Sequence, residues 1–109
     1  MHEYQIVEII VSSVIARAKE QGMASVKNII LKISELAGLE ESSVRLYFQE
    51  IAKATILENA QLDIQTLPAQ LKCKKCGIVF SRVKGQFNCP ECGELASPLP
   101  AEKFSFEIS

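Results

Sequence analysis

The chain has 109 residues, of which 48% are hydrophobic and 23% are charged, a composition that suits one domain or one domain with a small appendage. Its formal net charge of -1 argues against a nucleic-acid-binding protein, because such proteins are usually clearly basic. The charge is uneven: residues 1–70 hold six Lys/Arg against nine Asp/Glu, and residues 71–109 hold six against four.

The apolar start of the chain lacks the features of an export signal. A signal peptide needs a positively charged leading region, whereas no Lys or Arg precedes Arg17, and Glu3 and Glu8 interrupt the apolar stretch. No apolar run approaches the roughly 20 residues that span a bilayer. We therefore expect a cytoplasmic protein with no membrane segment. In that reducing compartment paired cysteines are more often metal ligands than disulfides.

Helix and strand patterns alternate along the first two thirds of the chain. Apolar residues three or four apart predict a helix over residues 4–21, which Gly22 ends. Residues 26–34 are rich in β-branched side chains and predict a strand. A second strand is predicted over residues 62–66, where apolar and polar side chains alternate until Pro68.

A second helix is predicted between these two strands, after a loop at Gly38. Glu40 and Glu41 place negative charge where a helix dipole favours it, and Ser42 or Ser43 is the expected cap. The apolar face that we expect this helix to bury consists of Val44, Phe48, Ile51, Ala52 and Thr55.

The pattern changes after the second strand. Residues 71–94 hold all four cysteines, and we expect the pieces 78–83 and 86–88 to pair as a short hairpin around Gly85. Clean alternation returns over residues 103–108. A chain end with three large apolar residues on one face needs a core to join, so we expect it to pair with the first sheet.

These elements predict an α+β fold, with two helices packed on a small three-stranded sheet and a ribbon of short β-strands inserted before the last strand. Residues 1–68 and 101–109 would form the α/β domain, and residues 69–100 would form the ribbon domain. Three prolines flank the ribbon like stiff linkers: Pro68, Pro98 and Pro100.

The four cysteines stand in two pairs with the spacing C-x2-C-x12-C-x2-C, and a glycine follows each pair. Two intervening residues let both thiolates of a pair turn toward one ion, and the glycine lets the backbone tighten without a Cβ clash. The residues are Cys73, Cys76, Cys89 and Cys92, with Gly77 and Gly93 after the pairs.

Four thiolates suit tetrahedral Zn(II) and leave no open coordination position, so the pattern predicts a structural zinc site. A short segment with few large apolar side chains cannot fold on its own core, and the ion would supply that stability. The alternatives are two disulfides, a redox-active pair, or an iron site with the same ligands.

The single histidine of the chain is residue 2, and its position suggests a second metal site. The Met1 α-amine, the His2 amide nitrogen and the His2 imidazole can close adjacent chelate rings around one metal, and the Glu3 amide is the next nitrogen. Nitrogen donors in a plane are what Ni(II) or Cu(II) prefers. The plainer interpretation is a frayed terminal histidine, with Glu3 and Glu8 as charges at a helix N-terminus.

Three elements occur together in one order: the opening MHEYQIVEII, the segment KISELAGLEESSVRLYFQEIAKATILENAQLDI, and the cysteine ribbon. In this combination the chain resembles the hydrogenase maturation nickel metallochaperones of the HypA/HybF family. The resemblance implies delivery of Ni(II) to [NiFe]-hydrogenase, and in some members to urease. It implies a nickel site on Met1, His2 and Glu3, and zinc on the four cysteines. It implies as partners the GTPase HypB, the hydrogenase large subunit and, for some members, urease maturation proteins.

Two departures from the common family pattern bear on this interpretation. Ser34 stands where many members have a glycine before Glu-Leu, and we expect this to affect a local turn. Some members add a histidine near the ribbon, and this chain has none. The fourth nickel ligand is therefore open between the Glu3 amide, the Glu3 or Glu40 carboxylate, water and a partner protein.

Two rival functions compete with this interpretation. In a zinc-ribbon nucleic-acid- or protein-binding module, Phe80 and Phe87 would stack on bases beside a basic patch. We prefer the plainer view that these rings cover the ribbon and the lysines keep it soluble. An enzyme is not expected, because a single histidine at residue 2 allows no Ser/His/Asp set and no phosphate loop is present. The basic patch consists of Lys72, Lys74, Lys75, Arg82 and Lys84.

Overall fold

The computed structural model describes residues 2–83 and 85–109, and of His2 it describes the backbone alone. Its fold is α+β, as predicted. Helix α1 spans His2–Glu20, a 3-10 turn spans Glu35–Ala37, and helix α2 spans Glu41–Ile51. The strands are β1 Asn28–Ser34, β2 Gln61–Leu67, β3 Gln70–Cys73, β4 Val79–Ser81, β5 Ala96–Pro98 and β6 Phe104–Ile108.

The first sheet has the strand order β2-β1-β6. Strand β1 runs parallel to β2 and antiparallel to β6, with Ile29 opposite Ile108 and Ile33 opposite Phe104. The prediction that the chain end returns to the first sheet is therefore confirmed. We call this sheet and its two helices the helical region.

One apolar core holds the helical region together. The alternate residues Ile29, Leu31 and Ile33 of β1 are buried, and the apolar stripe of α1 packs into the same cluster. The rings of Tyr4 and Tyr47 meet edge to face, with centroids 5.3 Å apart, where α1 passes α2. Burying one Val-, Leu- or Ile-sized side chain contributes about 1.5–3 kcal/mol, so this core is a large source of stability for its region.

The helix boundaries differ from the prediction in two ways. Helix α1 begins at His2, two residues earlier than expected, and ends before Gly22, whose φ of 69° suits a glycine. The predicted caps Ser42 and Ser43 are wrong, because both serines lie inside the first turn of α2. Glu40 is the N-cap; its carbonyl accepts from Val44 N at 2.9 Å, and its side chain makes no capping hydrogen bond.

The second sheet is antiparallel, with the order β4-β3-β5. We call it, with the turns that carry the cysteines, the cysteine region. Its apolar cluster consists of Ala69, Leu71 and Ala96, against which the rings of Phe80 and Phe87 pack.

The predicted hairpin of residues 78–83 with 86–88 is wrong. Strand β4 pairs with β3, and Asn88 forms a bridge with Leu95. The reason is that each cysteine pair lies in a turn, and the segments before and after that turn form hydrogen bonds with each other. The first turn therefore joins β3 to β4, and the second joins Asn88 to Leu95.

The predicted division of the chain falls in the connections between the two sheets. Strands β3, β4 and β5 lie within residues 69–100, and β6 follows residue 100. The division into two domains stays a prediction. In the described part of the chain, no helix combines the length and the apolar character that crossing a membrane requires.

Candidate metal centre

Two turns of the same construction carry the four cysteines. In the first turn the Gly77 N–H donates to the Cys73 carbonyl at 2.9 Å, and in the second the Gly93 N–H donates to the Cys89 carbonyl at 2.9 Å. Both glycines have a left-handed backbone, with φ of 78° and 76°. A residue with a Cβ rarely adopts this conformation, which explains the glycine after each cysteine pair.

A second pair of bonds closes each turn. The Cys73 N–H donates to the Ile78 carbonyl at 3.0 Å, and the Cys89 N–H donates to the Glu94 carbonyl at 2.7 Å. The first cysteine of each turn is therefore fixed by its own backbone at both the N–H and the C=O. These two residues, Cys73 and Cys89, are buried, whereas Cys76 and Cys92 are exposed.

The two turns bring all four sulfurs together. Every Sγ lies within 4.8 Å of the other three. The shortest separations join sulfurs from different turns, 3.4 Å between Cys73 and Cys92 and 3.5 Å between Cys76 and Cys89. A disulfide would require about 2.05 Å. Four sulfurs at about 2.3 Å from a tetrahedral zinc ion stand about 3.8 Å apart, so this donor set fits such an ion.

The pKa values of the cysteine thiols indicate that four thiolates can coexist here only around a cation. The Cys76 N–H donates to the Cys73 Sγ at 3.5 Å and lowers the pKa of that thiol to about 6. At Cys92 the Glu94 amide acts in the same direction, but the neighbouring Cys73 sulfur and desolvation raise the pKa to about 12. Like charges this close oppose one another, so four thiolates together require a cation. Metal binding here must therefore release protons and weaken in acid.

The surroundings of the cluster bear on the nucleic-acid alternative. Phe80 and Phe87 pack on the small core of the cysteine region, and the Arg82 guanidinium lies 4.5 Å from the centre of the Phe87 ring. Lys75 lies 3.8 Å from Glu94. Both rings thus serve the interior of the region, which favours the plainer view of these residues. Lys84 lies outside the described residues.

One contact of Arg82 could not be foreseen from the sequence. Its guanidinium donates to the Glu35 carboxylate, 47 positions away, in the 3-10 turn that Ser34 caps by accepting from Leu36 N at 3.3 Å. In the described chain this is the one hydrogen bond between the helical and cysteine regions. Nothing in the sequence around Arg82 indicates that Glu35 is its partner. Ser34 does lie at a local turn, and the effect of a serine there in place of glycine stays a prediction.

The amino-terminal candidates are described only in part. Met1 and the His2 side chain lie outside the described residues. The His2 backbone starts α1, and Glu3 lies in its first turn. The Glu3 Oε2 is shielded from solvent and has no hydrogen-bond partner among the described residues. Glu40 is exposed at the start of α2.

Comparison with known proteins decides the family. A family model described as "Hydrogenase/urease nickel incorporation, metallochaperone, hypA" matches residues 1–103. The chain belongs to the HypA family. A hydrogenase maturation factor HypA from Caldanaerobacter subterraneus subsp. tengcongensis is 36% identical over 93 residues, which cover 85% of this chain and 82% of the relative. One from Chlorobium limicola is 38% identical over 105 residues, covering 95% and 90%.

The fold agrees with that assignment. The solution structure of the Ni metallochaperone HypA from Helicobacter pylori matches with a TM-score of 0.73 at 20% identity, and the match covers 97% of this chain and 96% of that one. At this identity the likeness shows the HypA fold alone. Nickel incorporation is the activity of the family, and the four-cysteine cluster is compatible with a metal such as zinc.

Proposed function

We propose that this HypA-family chain binds Ni(II) through Met1, His2 and Glu3, and delivers it during maturation of [NiFe]-hydrogenase. In this proposal the four cysteines hold a structural Zn(II). The acceptors we propose are the family's partners, the GTPase HypB and the hydrogenase large subunit, with urease maturation proteins as a further target. The observation that supports the nickel proposal is the start of α1 at His2. Backbone nitrogens at the start of a helix have no hydrogen-bond partner within the helix, so they are available to a metal.

The first N–H groups of a helix have no carbonyl one turn earlier to bond with. The amides of His2 and Glu3 belong to this set, so a metal that displaces their protons costs the helix no hydrogen bond. The positive end of the helix dipole also favours the negative charge that a deprotonated amide and a carboxylate bring. Nickel, the cargo, would therefore meet donors that the fold leaves unused.

The Glu3 carboxylate supports the same site. An oxygen that is shielded from water and lacks a partner among the described residues costs free energy unless something binds it. A cation held by the neighbouring nitrogens would satisfy it. Glu40 stays a second candidate for the fourth ligand, because its side chain makes no cap bond to α2.

The test is nickel titration of untagged, zinc-loaded protein beside His2→Ala, with zinc measured in both. We expect the variant to lose nickel binding and to keep its zinc. Glu8→Ala is the matched control, because Glu8 is an exposed acidic residue on the same helix. Unchanged nickel binding in His2→Ala would contradict the proposal.

A second variant tests the amine. One residue added ahead of Met1 moves the free amine away from the His2 chelate and should abolish tight nickel binding. Because the amine, the imidazole and an amide must lose protons, nickel affinity should rise with pH. Nickel uptake that survives the extension, or that strengthens in acid, would remove the basis of the amino-terminal site.

A further inference from the structure

Strand β6 is an edge strand of the first sheet, and among the described strands it pairs with β1 alone. Asn28 and Ser109 exchange both backbone hydrogen bonds, each at 3.0 Å. This pair determines which residues of β6 bond to β1 and which do not. In an antiparallel ladder every second residue bonds to the neighbour, so Phe104, Phe106 and Ile108 direct their N–H and C=O groups away from β1. Within the described chain none of these groups meets a hydrogen-bond partner.

The opposite edge of the sheet differs in this respect. At β2 the Arg45 side chain reaches the strand, and its Nη1 donates to the Leu62 carbonyl at 2.8 Å. A charged side chain laid over an edge in this way discourages pairing with another strand. No side chain of the described residues covers β6 in the same way, so β6 is the edge that is open to a further strand.

A groove of ≈ 680 Å³ runs beside this edge, between α1 and β6. Its α1 wall consists of two small residues, Ser13 and Ala16, and two charged ones, Arg17 and Glu20. The half-buried rings of Phe104 and Phe106 form its floor. The Arg17 guanidinium lies 5.2 Å from the centre of the Phe106 ring. A strand added to β6 would direct alternate side chains into this groove, where apolar or aromatic residues fit.

The charged side chains on the outer face of β6 indicate which strand can pair with this edge. Lys103 just before the strand, Ser105 and Glu107 are exposed there. Glu107 lies 3.2 Å from Lys32, whereas Lys103 has no carboxylate partner among the described residues. If β6 pairs antiparallel with its own copy about Ser105, each Lys103 stands opposite the partner's Glu107.

The same register satisfies the backbone. It places Phe104 opposite the partner's Phe106, and both residues direct their N–H and C=O groups to the open edge. The aromatic side chains of one copy then fall into the groove of the other. We infer that β6 pairs with β6 of a second copy of this chain, joining two sheets into one of six strands. None of the residues involved is a proposed metal ligand, so this inference stands apart from the nickel proposal.

A charge exchange tests the register in zinc-loaded protein at low salt. Lys103→Glu and Glu107→Lys each place two like-charge pairs across the interface, and each alone should raise the dimer Kd about tenfold. Mixing the two variants restores opposite charges at both contacts, so heterodimers should form as tightly as the parent dimer. Sedimentation equilibrium measures the dimer Kd of the parent, of each variant and of the mixture. Asp63→Lys, on the exposed face of β2, is the control and should change nothing.

A cross-link gives a second readout. In the inferred register Ser105 faces its own copy at a non-hydrogen-bonded position, where Cα atoms are about 4.5 Å apart and a disulfide fits. Ser105→Cys should form a 105–105 disulfide with oxidised glutathione, and Ser25→Cys in the exposed loop after α1 should not. A parent protein that stays monomeric at every concentration, or mixed charge variants that fail to associate, would overturn the inference. So would an edge that accepts an extended peptide from another protein but not its own copy.

Discussion

In the described chain the two sheets have three strands each, but their apolar cores differ in size. Among the residues that the structure describes, the helical region buries fifteen apolar side chains in one cluster, whereas the cluster of the cysteine region contains three, Ala69, Leu71 and Ala96. Burying a leucine contributes about 1.5–3 kcal/mol, and an alanine contributes less. Ordering one residue costs roughly 1–2 kcal/mol, so this small cluster, even with the half-buried rings of Phe80 and Phe87, cannot offset the ordering of three strands and two turns.

The comparison teaches where stability must come from in each half. The helical region resembles an ordinary small domain whose core holds it together. In the cysteine region two of the buried residues are cysteines, Cys73 and Cys89, and not large apolar residues. The ion that we propose between the four sulfurs would join two turns that apolar contact alone does not join. Three experiments can break or sharpen this contrast, beginning with the four cysteines.

Cys73→Ser should have the largest effect. Structural zinc in comparable small sites carries about 10–16 kcal/mol of apparent binding free energy, and loss of a buried ligand removes much of it. We expect the cysteine region to unfold and lose zinc while the helical region stays folded. Hydrogen exchange would show this at the amides of Cys89 and Ala96, which bond to the Glu94 and Phe87 carbonyls. The amides of β1 should stay protected.

The control for this experiment is Ser81→Ala, which removes an exposed hydrogen bond of 2.8 Å from Gln70 in the same sheet. It should leave both zinc content and protection unchanged. If the Ala96 amide of Cys73→Ser stayed protected after zinc was lost, the cysteine region would have a sufficient core of its own. The contrast between the two regions would then disappear.

Leu31→Ala tests the other half of the comparison. Leu31 is fully buried at the centre of β1, and removing a buried leucine side chain costs about 2–5 kcal/mol. Urea unfolding followed by the helical circular dichroism signal should show this loss, while zinc content stays at the parent value. Leu46→Ala on the exposed face of α2 should change stability by no more than about 0.5 kcal/mol. Parallel loss of zinc in Leu31→Ala would show that one core supports both regions.

The sequence predicted the helical region far better than the details of the cysteine region. Helix α1 and strand β6 have long or clean apolar periods, and a period reports which face of an element is buried. Strands β4 and β5 have three residues each, too few for a period, and their pairing depends on the turns that hold the cysteines. Hence the cysteine spacing predicted the sulfur cluster, but the hairpin drawn from short apolar runs was wrong.

Side-chain contacts between the two regions were beyond prediction for a related reason. The Glu35–Arg82 pair joins a 3-10 turn to the end of β4, and nothing local to either residue depends on the other. Glu40, by contrast, was placed correctly at the start of α2, because the helix dipole acts within one turn of the chain. Sequence reasoning therefore reached what short segments determine, and missed how the two regions meet.

Breaking the Glu35–Arg82 contact between the two regions should have the smallest effect of the three experiments. Glu35 and Arg82 form an ion pair with side chains only 22% and 19% exposed, so removing one partner should cost about 1–2 kcal/mol. Glu35→Gln should leave each region folded and zinc bound, because neither core contains the pair. Amide relaxation by NMR should then report separate rotational correlation times for the two regions. Glu50→Gln, which removes an exposed pair with Lys53, should leave one common correlation time. If Glu35→Gln also tumbled as one body, the chain connections and the packing between the sheets would fix their orientation without this pair.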